Sequence, residues 1–248
     1  MSSTAPAAAS ATAASLSRRL LLVGRAVIAV AILAAVIGQL VTSLGFWADR
    51  GDPDIGQNLV NFFSFFTIES NLLAMVVLGI LVAAQLGRPR IGRRFDVLLL
   101  CASTYMVVTG LVYNTLLRGI ELPQGSTLGW SNEVLHLIAP LWMLIDWLVS
   151  PRRRDLQWRD LGVVAIFPLV WLAYTLLRAP LVDDTFASGR AYWYPYPFLN
   201  PENHANGYGG VAIMCVVVAA VVLLGGAILI AYARWRARRL EPVGAPAA

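Results

Sequence analysis

The chain has 248 residues, of which 58% are hydrophobic and 13% charged, and its mean hydropathy is +0.67. Soluble domains carry nearer a quarter charged residues, so this composition excludes an ordinary aqueous globule. The net charge of +5 arises from 19 basic residues, all arginine. They lie in short clusters between apolar runs, a pattern that writes membrane topology rather than nucleic-acid binding, and no nucleic-acid partner is expected.

A bilayer core about 30 Å thick requires roughly 20 apolar residues at 1.5 Å rise each. Residues 1–17, rich in Ala, Ser and Thr, bury too little to order and are expected to form a tail. Ser17-Arg18-Arg19-Leu20 has the look of a twin-arginine export signal, but the apolar run behind it is longer than a signal core, so an uncleaved first helix is expected. Six spans follow within residues 18–239: Leu20–Phe46, Leu59–Leu86, Phe95–Leu117, Trp130–Val149, Leu161–Leu177 and Tyr208–Trp235. Pro168 predicts a kink in the fifth. Residues 240–248 are expected to be a second tail. The fold class is therefore an all-α, six-helix transmembrane bundle.

Arginines 18, 19 and 25, then 88, 90, 93 and 94, then 152–154 and 159, then 234, 236, 238 and 239 fall on alternate connections. The other connections are acidic, with Asp49, Asp52, Asp54, Glu121, Asp183, Asp184 and Glu202. The positive-inside rule then predicts both termini in the cytoplasm and a multi-pass protein of the cytoplasmic membrane. On that topology Cys101 and Cys215 lie near opposite faces, too far apart for a disulfide, and read as small buried side chains.

Polar groups inside a bilayer are costly and therefore informative. With helices two and four running inward, Thr67 and His136 each lie about 10 Å below the outer ends of their helices. Asn61, Ser64, Thr67 and Asn71 share one helical face, with Glu69 opposite. Asn132, Glu133, His136 and Pro140 share another, Glu133 being placed to orient the imidazole. Tyr113 and Asn114 close the outer end of helix three. Asp146 lies deeper, where Arg152–Arg154 are expected to neutralise it. The aromatic segment Tyr192–Pro201, which includes Tyr196, reads either as an interfacial belt or as a rigid lid over the polar pocket.

A hydroxyl beside an imidazole is a nucleophile with its general base, although a membrane Thr also commonly bonds its own i−4 carbonyl. No ligand spacing such as H-x-x-x-H supports a metal, and no fingerprint supports a cofactor, so neither is expected. Ser64, Asn71 and Asn132 are candidate donors to an oxyanion.

The segment Asn61-Phe62-Phe63-Ser64-Phe65-Phe66-Thr67-Ile68-Glu69-Ser70-Asn71, followed in order by His136, Pro140, Asp146-Trp147 and Tyr194-Pro195-Tyr196-Pro197-Phe198, resembles the Pr-six-Pr family of bacterial six-helix membrane proteins. Glu69 departs from the Gln of that signature. The family is in turn distantly similar to the androgen-induced membrane hydrolases. That resemblance implies an intramembrane threonine hydrolase of fatty acid esters, with Thr67 as nucleophile and His136 as base. Ser64, Asn71, Tyr113, Asn114, Asn132, Glu133 and Tyr196 would line the substrate site. Membrane lipid and a lipophilic substrate are the expected partners; the residues leave the oligomeric state open. A transporter or receptor for a small lipophilic ligand, with Glu133 and Glu69 as proton carriers, and a non-catalytic subunit of a membrane complex are the competing expectations.

Overall fold

The computed structural model describes residues 5–52, 54–87, 91–120, 126–151, 154–184 and 192–239, with side chains from Ser15 onward. The helices are α1 (Ala5–Asp49), α2 (Ile55–Phe63), α3 (Phe66–Gln85), α4 (Arg93–Val112), α5 (Gly129–Glu133), α6 (Ala139–Val149), α7 (Asp160–Arg178) and α8 (Tyr208–Arg239). Two π-turns, Tyr113–Leu117 and Val134–Ile138, extend α4 and join α5 to α6. Six segments are long and apolar enough to cross a membrane: Ser15–Asp49, Phe66–Gln85, Arg93–Leu117, Gly129–Val149, Asp160–Leu181 and Tyr208–Arg239. No strand occurs among the described residues. The chain is thus an all-helical, multi-pass integral membrane protein.

Helical backbone reaches back to Ala5, across much of the segment expected as a tail. Alanine, the strongest helix former, dominates that stretch. The tail expected at 240–248 lies outside the described residues. Cys101 and Cys215 are both free.

α4 sits at the centre, packed against α3, α6, α7 and α8, while α1 lies along α3. Its core side chains Leu99, Leu100, Ala102, Tyr105 and Met106 are buried. Many large apolar residues elsewhere are exposed, including Val30, Val41, Leu169, Val170, Val216 and Leu224. On a membrane protein those outward faces meet lipid tails and carry no penalty.

The second span differs from expectation. Residues 59–86 do not form one helix: α2 ends at Phe63, and α3 begins at Phe66. The Ser64 hydroxyl turns back onto the Val60 carbonyl at 2.6 Å, and Phe65 takes an extended conformation (φ −70°, ψ 125°). Hydroxyls that bond the i−4 carbonyl bend helices, and here an aromatic cluster receives the freed chain. Consequently Asn61 and Ser64 belong to a short separate helix, and Thr67 occupies the first turn of α3.

Asp146 also finds a different partner from the one expected. The Arg25 Nε donates to Asp146 Oδ1 at 2.7 Å, while Nη1 reaches Gln85 Oε1 at 2.9 Å and Nη2 reaches Ser150 Oγ at 3.1 Å. Arg154 instead stacks 4.1 Å over the Trp147 ring and donates to its carbonyl; Arg152 and Arg153 lie outside the described residues. Arg25 carries a fixed fork of donors and ties α1 to both α3 and α6 with one side chain.

Both charges are buried, so removing either strands the other. Asp146→Asn and Arg25→Met are each expected to cost about 3–5 kcal/mol, while the double replacement Arg25→Met/Asp146→Leu costs markedly less. Unfolding of the purified protein in detergent measures this, and single variants that melt with the wild type would refute the pairing.

Candidate functional site

The break between α2 and α3 leaves polar backbone groups inside the bundle, where water cannot satisfy them. Side chains do so instead. The Trp171 indole N–H donates to the Ser64 carbonyl at 3.0 Å, and the Thr67 amide donates to the Tyr196 phenol at 3.2 Å. Phe65 packs edge-on against Trp193 and Tyr196, with ring centroids 5.8 Å apart in each pair. Thr67 is thereby fixed in the first turn of a helix with its hydroxyl directed inward.

His136 meets it there. Its Nε2 lies 3.2 Å from Thr67 Oγ1, and its Nδ1 lies 3.0 Å from the Asn132 carbonyl. A carbonyl only accepts, so Nδ1 carries the proton and Nε2 presents its lone pair to the threonine hydroxyl. Tyr113 stacks on the imidazole with centroids 3.8 Å apart, and its phenol accepts from Asn132 Nδ2 at 2.6 Å. Asn114 Nδ2 donates to the His136 carbonyl at 3.0 Å and to the Gly110 carbonyl at 2.7 Å. A Cβ at Gly110 would stand 2.8 Å from Pro140 Cβ and 3.3 Å from the His136 carbonyl, so glycine lets the two helices meet. Tyr113 and His136 each lie in a π-turn, whose extra residue re-aims side chains at the cost of a regular helical bond.

A further shell fixes the threonine. Asn71 Nδ2 donates to the Thr67 carbonyl at 2.9 Å and to the Leu135 carbonyl at 3.1 Å, linking α3 to the histidine's helix. Ser70 donates to the same Thr67 carbonyl at 3.1 Å and contacts Thr109 Oγ1 at 3.0 Å. The Tyr196 phenol lies 3.4 Å from Thr67 Oγ1.

Three expectations change. Glu133 does not orient His136: its carboxylate receives both terminal nitrogens of Arg118, at 2.8 and 3.0 Å, on the exposed side. The π-turn swings the imidazole toward the bundle and leaves Glu133 outside. That pairing also holds the Arg118 guanidinium above its ordinary range. Ser64 faces away from the pair, with its hydroxyl 2.9 Å from Tyr174. Finally, Asn71 gives both amide protons to carbonyl oxygens, whereas Asn132 gives one to the Tyr113 phenol. The aromatic segment delivers the Tyr196 phenol to the Thr67 hydroxyl from above. Trp193, Tyr194 and Tyr196 are buried, so this segment is packed as a lid rather than spread as a belt.

Two cavities meet at Thr67. One, of about 170 Å³, runs between α4, α7 and α8 and is lined almost wholly by apolar groups, among them Val112, Pro168, Leu172, Val222 and Leu223. The other, of about 40 Å³, lies on the α1 and α5 side, where Gln39, Thr127, Ser131 and Asn132 give it a polar wall. It has room for about one water. Glu69 belongs to neither; with Ser64 and Tyr174 it lines a separate cleft between α2, α3 and α7. No grouping of metal-ligating side chains occurs among the described residues. Trp171, Ser70 and Thr109 were not singled out in the sequence, and no local pattern distinguishes them from packing residues.

The chain matches no family model, no curated protein and no solved structure.

Burial pushes the Tyr196 phenol from its ordinary 10 up to about 12. The phenol is therefore neutral, and its O–H available, throughout the physiological range. A folded-state value above the unfolded one means the contribution is complete below pH 10 and is lost as pH rises from 10 to about 12. Alkaline titration of the melting temperature should show that loss, and Tyr196→Phe should reduce it; an unchanged alkaline limb in the variant would sink the assignment.

Proposed function

We propose that the protein is an intramembrane threonine hydrolase acting on lipid esters, in line with its resemblance to the Pr-six-Pr proteins and the androgen-induced hydrolases. The observation that carries the reading is the 3.2 Å contact of Thr67 Oγ1 with His136 Nε2, the proton being on Nδ1. The topology that suits it has both termini in the cytoplasm and the Thr67 end of the bundle toward the outer leaflet.

In this reading an ester enters from the lipid side with an acyl chain in the apolar cavity. Thr67 Oγ1 attacks the carbonyl carbon as His136 Nε2 takes the hydroxyl proton. The Tyr196 O–H donates to the developing oxyanion, aided by the first turn of α3, whose aligned N–H groups favour negative charge. The Asn132 carbonyl at Nδ1 and the face of Tyr113 favour the imidazolium that forms. Collapse expels the alcohol, which takes the proton from Nε2, and leaves an acyl–Thr67 ester. A water from the polar cavity then attacks that ester, His136 again taking a proton and returning it to Thr67. Fatty acid and alcohol are released and the site is restored.

Arg118 ties Glu133 down on the exposed side, and Glu69, the other carboxylate that a proton-coupled transport reading would use, lies in a separate cleft away from the Thr67–His136 pair. Hydrolysis is the better-supported function.

A fluorophosphonate probe on the purified protein tests the proposal directly. Labelling and hydrolysis of a long-chain p-nitrophenyl ester are expected to fall by about 10³-fold or more in Thr67→Ala and in His136→Ala. Thr67→Ser should retain activity, and Glu133→Gln should match the wild type. Labelling that survives both alanine variants would overturn the reading.

A further inference from the structure

The apolar cavity beside Thr67 has a floor, a roof and one side toward lipid. The floor is where α7 and α8 close on each other: a Cβ at Gly226 would stand 3.1 Å from Leu161 Cδ2 and 3.5 Å from Val164 Cγ1. Phe198 and Leu199 of the lid supply the roof. Between them Leu169, Ala219 and Leu223 line the cavity and are also exposed on the outside of the bundle, so it reaches the lipid-facing surface along the α7–α8 seam. We infer, on the strength of the hydrolase reading, that this seam admits the acyl chain of the substrate and selects straight chains over branched ones, with Ala165 and Ala219 setting the limit.

Pro168 marks where the seam parts. It lies on the cavity wall and lacks the amide hydrogen that a regular helix would give to the Val164 carbonyl. The Tyr105 phenol donates to that carbonyl instead, at 2.9 Å, and ties α7 to α4 at the floor. Prolines are where helices bend, and this one falls between the closed contact at Val164 and the exposed Leu169.

The enclosed space limits the chain. An apolar cavity of about 150 Å³ holds one benzene ring, so the 170 Å³ here encloses roughly six to eight carbons. From Cys215 to Leu223 the α8 wall is about 12 Å long at 1.5 Å per residue, which accommodates those carbons in file. The remainder of a longer chain stays outside the seam among the lipid tails. Those tails are as apolar as the leucines of the wall, so entry brings little hydrophobic gain. Selection then falls on fit. A straight chain fills the space, whereas a branch on an enclosed carbon meets packed side chains. Ala165 on α7 and Ala219 on α8 are the smallest side chains of the lining, and added bulk there removes the room a chain needs.

The test uses the full chain in a bile-salt detergent, which brings no straight alkyl chain of its own. A palmitic acid analogue with a diazirine on its sixth carbon is photo-crosslinked, and the labelled residues are read by peptide mass spectrometry. Labels are expected on the cavity-lining residues of α7 and α8 and should fall about tenfold in Ala219→Phe. Val216→Phe, on the exposed outer face of α8, should keep them. Among p-nitrophenyl esters, the octanoate is expected to exceed its analogue with a methyl branch on the fourth carbon at least tenfold in kcat/KM, and Ala219→Phe should lower the octanoate-to-acetate ratio by about the same factor. Cross-linking requires no hydrolysis, so cavity labels without turnover would support the seam as a straight-chain site while sinking the hydrolase reading. Turnover at equal rates for the straight and branched esters, or labels confined to the outside of the bundle, overturns the inference. Should Ala219→Phe fail to fold, Ala165→Phe carries the same comparison.

Discussion

Every backbone N–H and C=O inside a bilayer must find a partner within the protein, and the site of this molecule follows from one place where the helix does not supply it. At Ser64–Phe65 the second span is interrupted, and its free groups are met by Trp171 from α7 and Tyr196 from the aromatic lid. Two remote segments are thereby locked across the break, the lid binding the residue two places beyond it. An unbroken helix would have bound the Thr67 amide internally and left the lid without its polar anchor. The interruption is thus what gives Thr67 both a fixed position and a polar neighbour on each side.

The second constraint is the proton on His136. Because Asn132 offers a carbonyl to Nδ1, the lone pair falls on Nε2, toward Thr67. Among the described residues the group bonded to Nδ1 is this backbone carbonyl and not a carboxylate. A buried carboxylate would have carried a large desolvation cost at this depth, and a neutral carbonyl fixes the tautomer without it. The π-turns supply the remaining geometry: one extra residue in each helix sets Tyr113 flat against the imidazole and turns Glu133 out to Arg118.

The spans themselves were legible because twenty apolar residues flanked by arginines have few other readings. Thr67 and His136 were reachable by counting helical rise from two ends, and the structure brings them into contact. The helix break was not legible, since Asn61–Asn71 contains neither Gly nor Pro, and its phenylalanines suit helix and turn alike. The π-turns were equally hidden, because one inserted residue only rotates the apolar stripe by about 100°. Glu133 misled for that reason: the i, i+3 spacing assumes a regular helix between it and His136. Asp146 misled differently. Its partner, Arg25, read as a flanking topology charge although it lies within α1 and packs inward.

The two ends of the bundle therefore divide the work of polar burial. Near Asp146 a full ion pair is enclosed with each guanidinium nitrogen of Arg25 directed at an acceptor, an arrangement that resists movement because any shift strands a charge. Around Thr67 the groups are neutral, each bond is of ordinary strength, and cavities of about 170 and 40 Å³ lie on either side. Neutral groups tolerate small displacements at little cost, so the space between the apolar wall and Tyr196 can widen without disturbing the frame. A rigid charged clamp at one end and a roomier neutral constellation at the other let the Thr67 end of the bundle adjust while the helices stay in register.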